Sequence, residues 1–118
     1  MRRLTTSEVH MFNHVDKAIA SKARLIKVPW LTPHTSGTTI GRFIFLRPAN
    51  PPDMLIAHEL VHVRQYSEKG VPRFLLRYVL DYFNQLAKLR NHRKAYLAIP
   101  TEVEARAEAE RWWARENG

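Results

Sequence analysis

His58, Glu59 and His62 stand in the order His-Glu-Leu-Val-His. On a helix, residues four apart lie almost one above the other, so both imidazoles project from one face. A pair at that spacing can bind one small cation, and Zn²⁺ is the usual occupant. Glu59 is turned about 100° from His58 at 3.6 residues per turn. It therefore sits beside such a metal rather than on it, where it can take a proton from a metal-bound water. That is the mechanical content of the H-E-x-x-H pattern, and it predicts metal-assisted hydrolysis. Ile56, Leu60 and Val63, with Leu55, Ala57 and Val61 around much of the rest, make the helix apolar on nearly every side, as a buried helix is. The competing reading is a pair of hydrogen-bonded core histidines, since buried polar groups need partners in any case.

Two histidines do not hold a catalytic zinc, and a third protein ligand is expected. The extended metzincin motif would need His at position 68, where Glu stands. The other candidates are Glu102, Glu104, Glu108, His92, His34 and the acids nearer the motif. Helix geometry separates the three downstream acids. With Glu102 as zero on a helical wheel, Ala105, Ala109, Trp112 and Trp113 fall within about 80° of it. Glu104, Glu108, Arg111 and Arg115 cluster opposite. Glu102 thus belongs to the face that should bury, where a carboxylate wants a cation or several donors. Glu104 has a use of its own as the second half of a Thr101–Glu104 capping box. Glu102 is the preferred ligand, ahead of Glu104.

The chain of 118 residues is long enough for one domain with a modest core. Its 45% hydrophobic content, with three Trp, five Phe and four Tyr, is that of a globular protein. The absence of Cys excludes a disulfide framework and a thiolate zinc site, so any metal must be held by His and carboxylate. No apolar run approaches a membrane span. Arg2 and Arg3 have no apolar stretch behind them, so the N-terminus does not read as a secretory signal and the expected compartment is the cytoplasm. The net charge is +8 and uneven. Five Glu against three Arg make residues 101–118 negative, while the densest basic run is Lys88, Arg90, Arg93 and Lys94 around His92. Such a surface favours nucleic acid, anionic lipid or acidic polypeptide, or is simply that of a basic protein.

The elements that must position these residues can be read from periodicity and punctuation. Residues 5–20 suggest a first helix, with Val9, Phe12, Val15 and Ile19 on one face and Thr6 or Ser7 as cap. His10 and His14 are also four apart there, and read as solvated. Ala23–Trp30 and Thr38–Arg47 are rich in β-branched and aromatic residues and predict a β-hairpin with a long turn-forming loop between them. Pro29 fits an edge strand, and Gly41 a bulge or close backbone approach. Asn50 and Pro51 suit the N-cap and first position of the motif helix, which Gly70 closes. A third helix starts at Pro72, with Phe74, Leu75, Tyr78, Val79, Tyr82, Leu86 and Leu89 recurring every three or four residues. This stripe is most simply core packing, although such a face can also lie on a membrane surface. A final helix runs from Thr101 to Arg115.

His58–Gln65, followed after about forty residues by Ile99-Pro-Thr-Glu-Val-Glu-Ala105, resembles compact zincin metallopeptidases of the gluzincin type, particularly small bacterial domains that keep a minimal core. In that group the downstream motif is commonly Glu-x-Glu-Ala-Asp, with its first Glu the third zinc ligand. The pattern falls on Glu102, Val103, Glu104, Ala105 and Arg106. Arg106 stands where Asp is frequent, and that Asp can orient a ligand His, so the resemblance leaves the outer partners of His58 and His62 unassigned. It covers about residues 38–113.

The resemblance implies an α+β, minimal zincin-like domain over residues 1–118: an N-terminal helix, a β-hairpin or small sheet, the H-E-x-x-H helix, and two further helices, the last carrying the third ligand. It implies Zn²⁺ on His58, His62 and Glu102, with Glu59 passing a proton from water to the leaving amine of a peptide bond. Tyr96, His92, Tyr66 and His34 are the donors on hand for the oxyanion. A peptide or protein substrate would be aligned along an edge strand within Thr38–Arg47. Two other functions fit parts of the pattern: a zinc-binding interaction module with little catalysis, and a basic nucleic-acid-binding protein in which H-E-x-x-H is accidental.

Overall fold

The computed structural model describes residues 1–29, 36–48 and 50–118. In chain order the elements are β1 (Arg2–Arg3), α1 (Thr6–Met11), α2 (Lys17–Lys22), β2 (Arg24–Lys27), β3 (Gly37–Ile40), β4 (Phe43–Leu46), α3 (Asp53–Lys69), α4 (Val71–Leu89), α5 (His92–Ala98) and α6 (Pro100–Asn117). This is an α+β fold with a small four-stranded sheet and, among the described residues, six helices. None of those helices is long and apolar enough to cross a membrane.

The expected helix over 5–20 is two helices. Thr5, not Thr6 or Ser7, caps α1 in a reciprocal box with Glu8: the Thr5 hydroxyl accepts from the Glu8 N–H, and Glu8 accepts from the Thr5 N–H. The helix stops because Phe12 (φ −82°, ψ 62°) centres an inverse γ-turn closed by the Asn13 N–H on the Met11 carbonyl. That kink lets Phe12 and Val15 both enter the core. Asp16 then caps α2, accepting from the Ala18 N–H.

The sheet also departs from the expected pairing. Its order is β1-β2-β4-β3, with β2 parallel to β4 (Leu25 opposite Ile44) and β3 antiparallel to β4 (Thr39 opposite Ile44). The hairpin therefore lies inside Thr38–Arg47 rather than between it and Ala23–Trp30. Gly41, read as a bulge or close approach, is the first of two loop residues and has φ +65°, whereas Arg42 has negative φ. Positive φ at the first position alone is the type II′ arrangement, which glycine suits. Pro29 follows the last backbone bond of its strand, from Val28 N–H to the Leu46 carbonyl, so it sits beyond β2 rather than in an edge strand.

The motif helix α3 starts at Asp53 after an extended Pro52 (ψ 148°), without a side-chain cap, so Asn50 and Pro51 do not have the roles expected of them. A residue preceding proline is driven out of the helical region, which keeps Pro51 outside. Gly70 (φ +82°) ends α3 and leads directly into α4, the third helix expected from Pro72. The short α5, with Asn91 as cap, was not anticipated. The final helix begins one residue early, at Pro100, a favoured first position, and the Thr101–Glu104 capping box is not formed.

Helix α3 is the centre of the fold. It packs on β3 and β4 at one side and on α6 at another. Leu25, Ile44 and Leu46 from the sheet meet Ile56, Leu60 and Val63 of α3, with Phe12 and Trp112 completing the core. Trp112 lies 5.1 Å from the Phe12 ring, and its indole N–H donates to the Met11 carbonyl at 2.8 Å. The C-terminal helix is thereby tied to the first helix, and its opening turn is held against the middle of α3.

Candidate metal centre

The i, i+4 geometry of α3 brings the two motif histidines together, and the first turn of α6 carries Glu102 to them. His58 Nε2 and His62 Nε2 each lie 3.0 Å from Glu102 Oε1. His62 and Glu102 are buried, and His58 is partly exposed. One potential ligand atom from each of the three lies within 4.8 Å of the others. The edge of a tetrahedron with bonds of about 2.0–2.1 Å is roughly 3.3 Å, so the group is of the right size for one small ion. Two imidazoles and a carboxylate suit zinc and other borderline divalent ions.

The surroundings prepare the donors. His62 Nδ1 is 2.7 Å from Gln65 Oε1. The amide of Gln65 donates to the Thr101 carbonyl (3.1 Å) and to Glu104 (2.8 Å), which identifies Oε1 as the acceptor. Nδ1 of His62 is therefore protonated, and Nε2 is the atom that faces Glu102. The other oxygen of Glu102 accepts from the Tyr78 hydroxyl at 2.9 Å. Burial opposes charge on His62, but the hydrogen bond and the attraction of Glu102 outweigh it and raise the imidazole to about 9. Burial likewise works against the Glu102 carboxylate, yet the hydrogen bonds from His58 and His62 hold it well below the usual carboxylate range. The convergence that attracts a proton would equally attract a divalent cation.

Glu59 is buried, and its Oε2 accepts from the Thr39 hydroxyl at 2.6 Å. Burial pushes its carboxyl up. Thr39 belongs to β3, an outer strand of the sheet, so the strand and the motif helix are joined at this residue. Glu59, His62 and Glu102 open into a cleft of about 190 Å³ walled by β3 and by Tyr66, Tyr78 and Tyr96. Burial first, and then the nearby carboxylates, push the Tyr66 hydroxyl up to about 12 and those of Tyr78 and Tyr96 further still. All three remain protonated donors at neutral pH.

The remaining candidates are elsewhere. Glu104 and Glu108, expected to face water, reach across to α3 and take the Arg64 guanidinium, at 2.6 Å and 2.7 Å. His92 is exposed and hydrogen-bonded to the Tyr82 hydroxyl at 2.6 Å, away from the cleft lining. His34 lies outside the described residues. His10 and His14 make no pair, because α1 ends between them. His14 is half-buried rather than solvated, with Nε2–H donating to the Ala57 carbonyl at 2.9 Å. Arg106 points to the Leu97 carbonyl. The partners that sequence reasoning missed are Gln65, Tyr78 and Thr39. Only Gln65 carried a local signal, being three residues from His62 on the same helix face. The chain matches no protein-family model, no curated protein and no solved structure.

Proposed function

We propose that the protein is a zinc-dependent metallopeptidase of minimal, gluzincin-like design, with His58, His62 and Glu102 as the metal ligands. The observation that carries this reading is the meeting of Glu102 with both motif histidines across 40 and 44 residues of sequence, with Glu59, His62 and Glu102 lining one cleft. When bound, zinc supplies Lewis-acid activation of a water and of the scissile carbonyl. Glu59 takes the proton released by the water and returns it to the leaving amine. Thr39 aims the Glu59 carboxylate, and Tyr66 and Tyr96 are cleft donors within the class that stabilises an oxyanion. Thr38 and Ile40 alternate outward along β3, so a peptide would add to that strand beside Glu59.

The small cleft favours a second form of this reading, in which the ion serves binding and catalysis is weak. Elemental analysis of purified protein tests the shared part. One zinc per chain is expected in wild type and in Glu104→Ala, and none in Glu102→Ala or His62→Ala. Absence of zinc from wild type after reconstitution would overturn both forms. Peptide hydrolysis then separates them: Glu59→Gln should keep the metal and lose all activity if the protein is a peptidase. No hydrolysis by zinc-loaded wild type across a diverse peptide library would leave the binding form.

A further inference from the structure

The apolar stripe of α4 does not do what its periodicity suggests. Phe74 is the one residue of α4 that is fully buried. Leu76, Val79, Leu80 and Phe83, at i, i+3, i+4 and i+7, are 63%, 46%, 55% and 59% exposed. They form a continuous ridge on the side of α4 opposite Phe74, and the fold is complete without them. Arg73, Arg77 and Lys88 run along one flank of this ridge, about 60–120° from Leu76 on the helical wheel. Asp81 is the one acid between Lys69 and Thr101, and it is engaged by Arg77 at 3.3 Å.

We infer that this face of α4 docks on an anionic phospholipid bilayer, the ridge entering the boundary between headgroups and acyl chains and the basic flank meeting phosphates. An apolar ridge bordered by Arg and Lys is what an interfacial helix presents. Charge argues against antiparallel pairing with a second copy of the chain, since that arrangement brings the like-charged flanks together. Area argues the same way: four side chains already about half exposed offer on the order of 400 Å², half of the ~800 Å² per partner in a stable complex. Nucleic acid would use the flank and leave the ridge in water. Leu75, at the border of the ridge, also lines the cleft, so docking brings the cleft mouth to the lipid surface.

Vesicle flotation of the full chain tests this, with phosphatidylcholine alone against phosphatidylcholine containing phosphatidylglycerol. Binding is expected to the anionic vesicles only, and to weaken as salt rises. Leu76→Ser with Phe83→Ser should reduce binding about tenfold or more. Both positions are exposed, so the fold should survive, which circular dichroism checks. Arg73→Gln with Arg77→Gln should weaken binding and flatten its salt dependence. Failure to float with anionic vesicles overturns the inference, as does binding unchanged by the Leu76 and Phe83 substitutions. Concentration-dependent self-association abolished by those substitutions, without flotation, would assign the ridge to a second copy instead. None of these readouts requires zinc or Glu59.

Discussion

Gln65 holds His62 from one helical turn away, its side-chain oxygen 2.7 Å from Nδ1. The same amide reaches Thr101 and Glu104 at the start of α6, the helix that delivers Glu102. One residue thus sets which imidazole nitrogen faces Glu102 and couples His62 to the helix that carries it. Gln65→Leu keeps much of the bulk and removes both functions. Zinc affinity should fall roughly 10–100-fold, the usual effect of losing a partner that orients a ligand. Competition with a chromophoric chelator measures it, and an unchanged affinity would remove Gln65 from the site.

Thr39 makes a comparable contact to Glu59 from the outer strand. Thr39→Val deletes the hydroxyl and little else, while Thr39→Ser retains it. A hydrogen bond to a charged group is worth about 1.5–3 kcal/mol, so hydrolysis should fall about tenfold or more in the Val variant with zinc content unchanged. The Ser variant should recover most of the rate. Equal rates in all three proteins would mean that Glu59 needs no aiming, or is not the base.

The parts of this site legible in the sequence were those set by helical periodicity. His58, Glu59 and His62 follow from spacing alone, and Glu102 from its position on the same wheel face as Ala105, Ala109 and Trp112. What was hidden depended on contacts between distant segments. Nothing local says that Tyr78 would reach Glu102, or that Arg64 would bridge α3 to Glu104 and Glu108. The sheet misled for a related reason. Ala23–Trp30 and Thr38–Arg47 are both good strands, but pairing is a non-local choice, and Gly41-Arg42 was already a two-residue hairpin signal inside the second. The ridge on α4 misled in the opposite sense: its periodicity is that of a core helix, yet the core is filled by α3, α6 and the sheet.

Arg64 is the clamp between α3 and α6, donating to both Glu104 and Glu108. Its partners are partly exposed, so solvent takes up part of the loss. Arg64→Met should destabilise the protein by about 1–2 kcal/mol. Because α6 carries Glu102, zinc affinity should fall in the same variant, and urea denaturation with and without zinc reads both effects. A stability loss without any effect on zinc would show that the first turn of α6 is positioned independently of this clamp.

His14 gives the fold a pH dependence separate from the His58–His62–Glu102 cluster. Its Nε2–H is donated to the Ala57 carbonyl, and its Nδ1 is buried without a hydrogen-bond partner among the described residues. Protonation at Nδ1 would place a charge and an unsatisfied donor against Trp112, and burial accordingly pushes the imidazole below its ordinary 6.5. The sign follows from the proton count. Below pH 6.5 the unfolded chain takes a proton that the folded chain resists, so stability is full above that pH and declines as the solution becomes more acidic. His14→Gln can keep the donor to Ala57 and cannot titrate. Between pH 7.5 and 5 the wild type should therefore lose more of its melting temperature than the variant, in thermal scans of the zinc-loaded proteins. Parallel losses would mean that His14 protonates in the folded protein as easily as in the unfolded one.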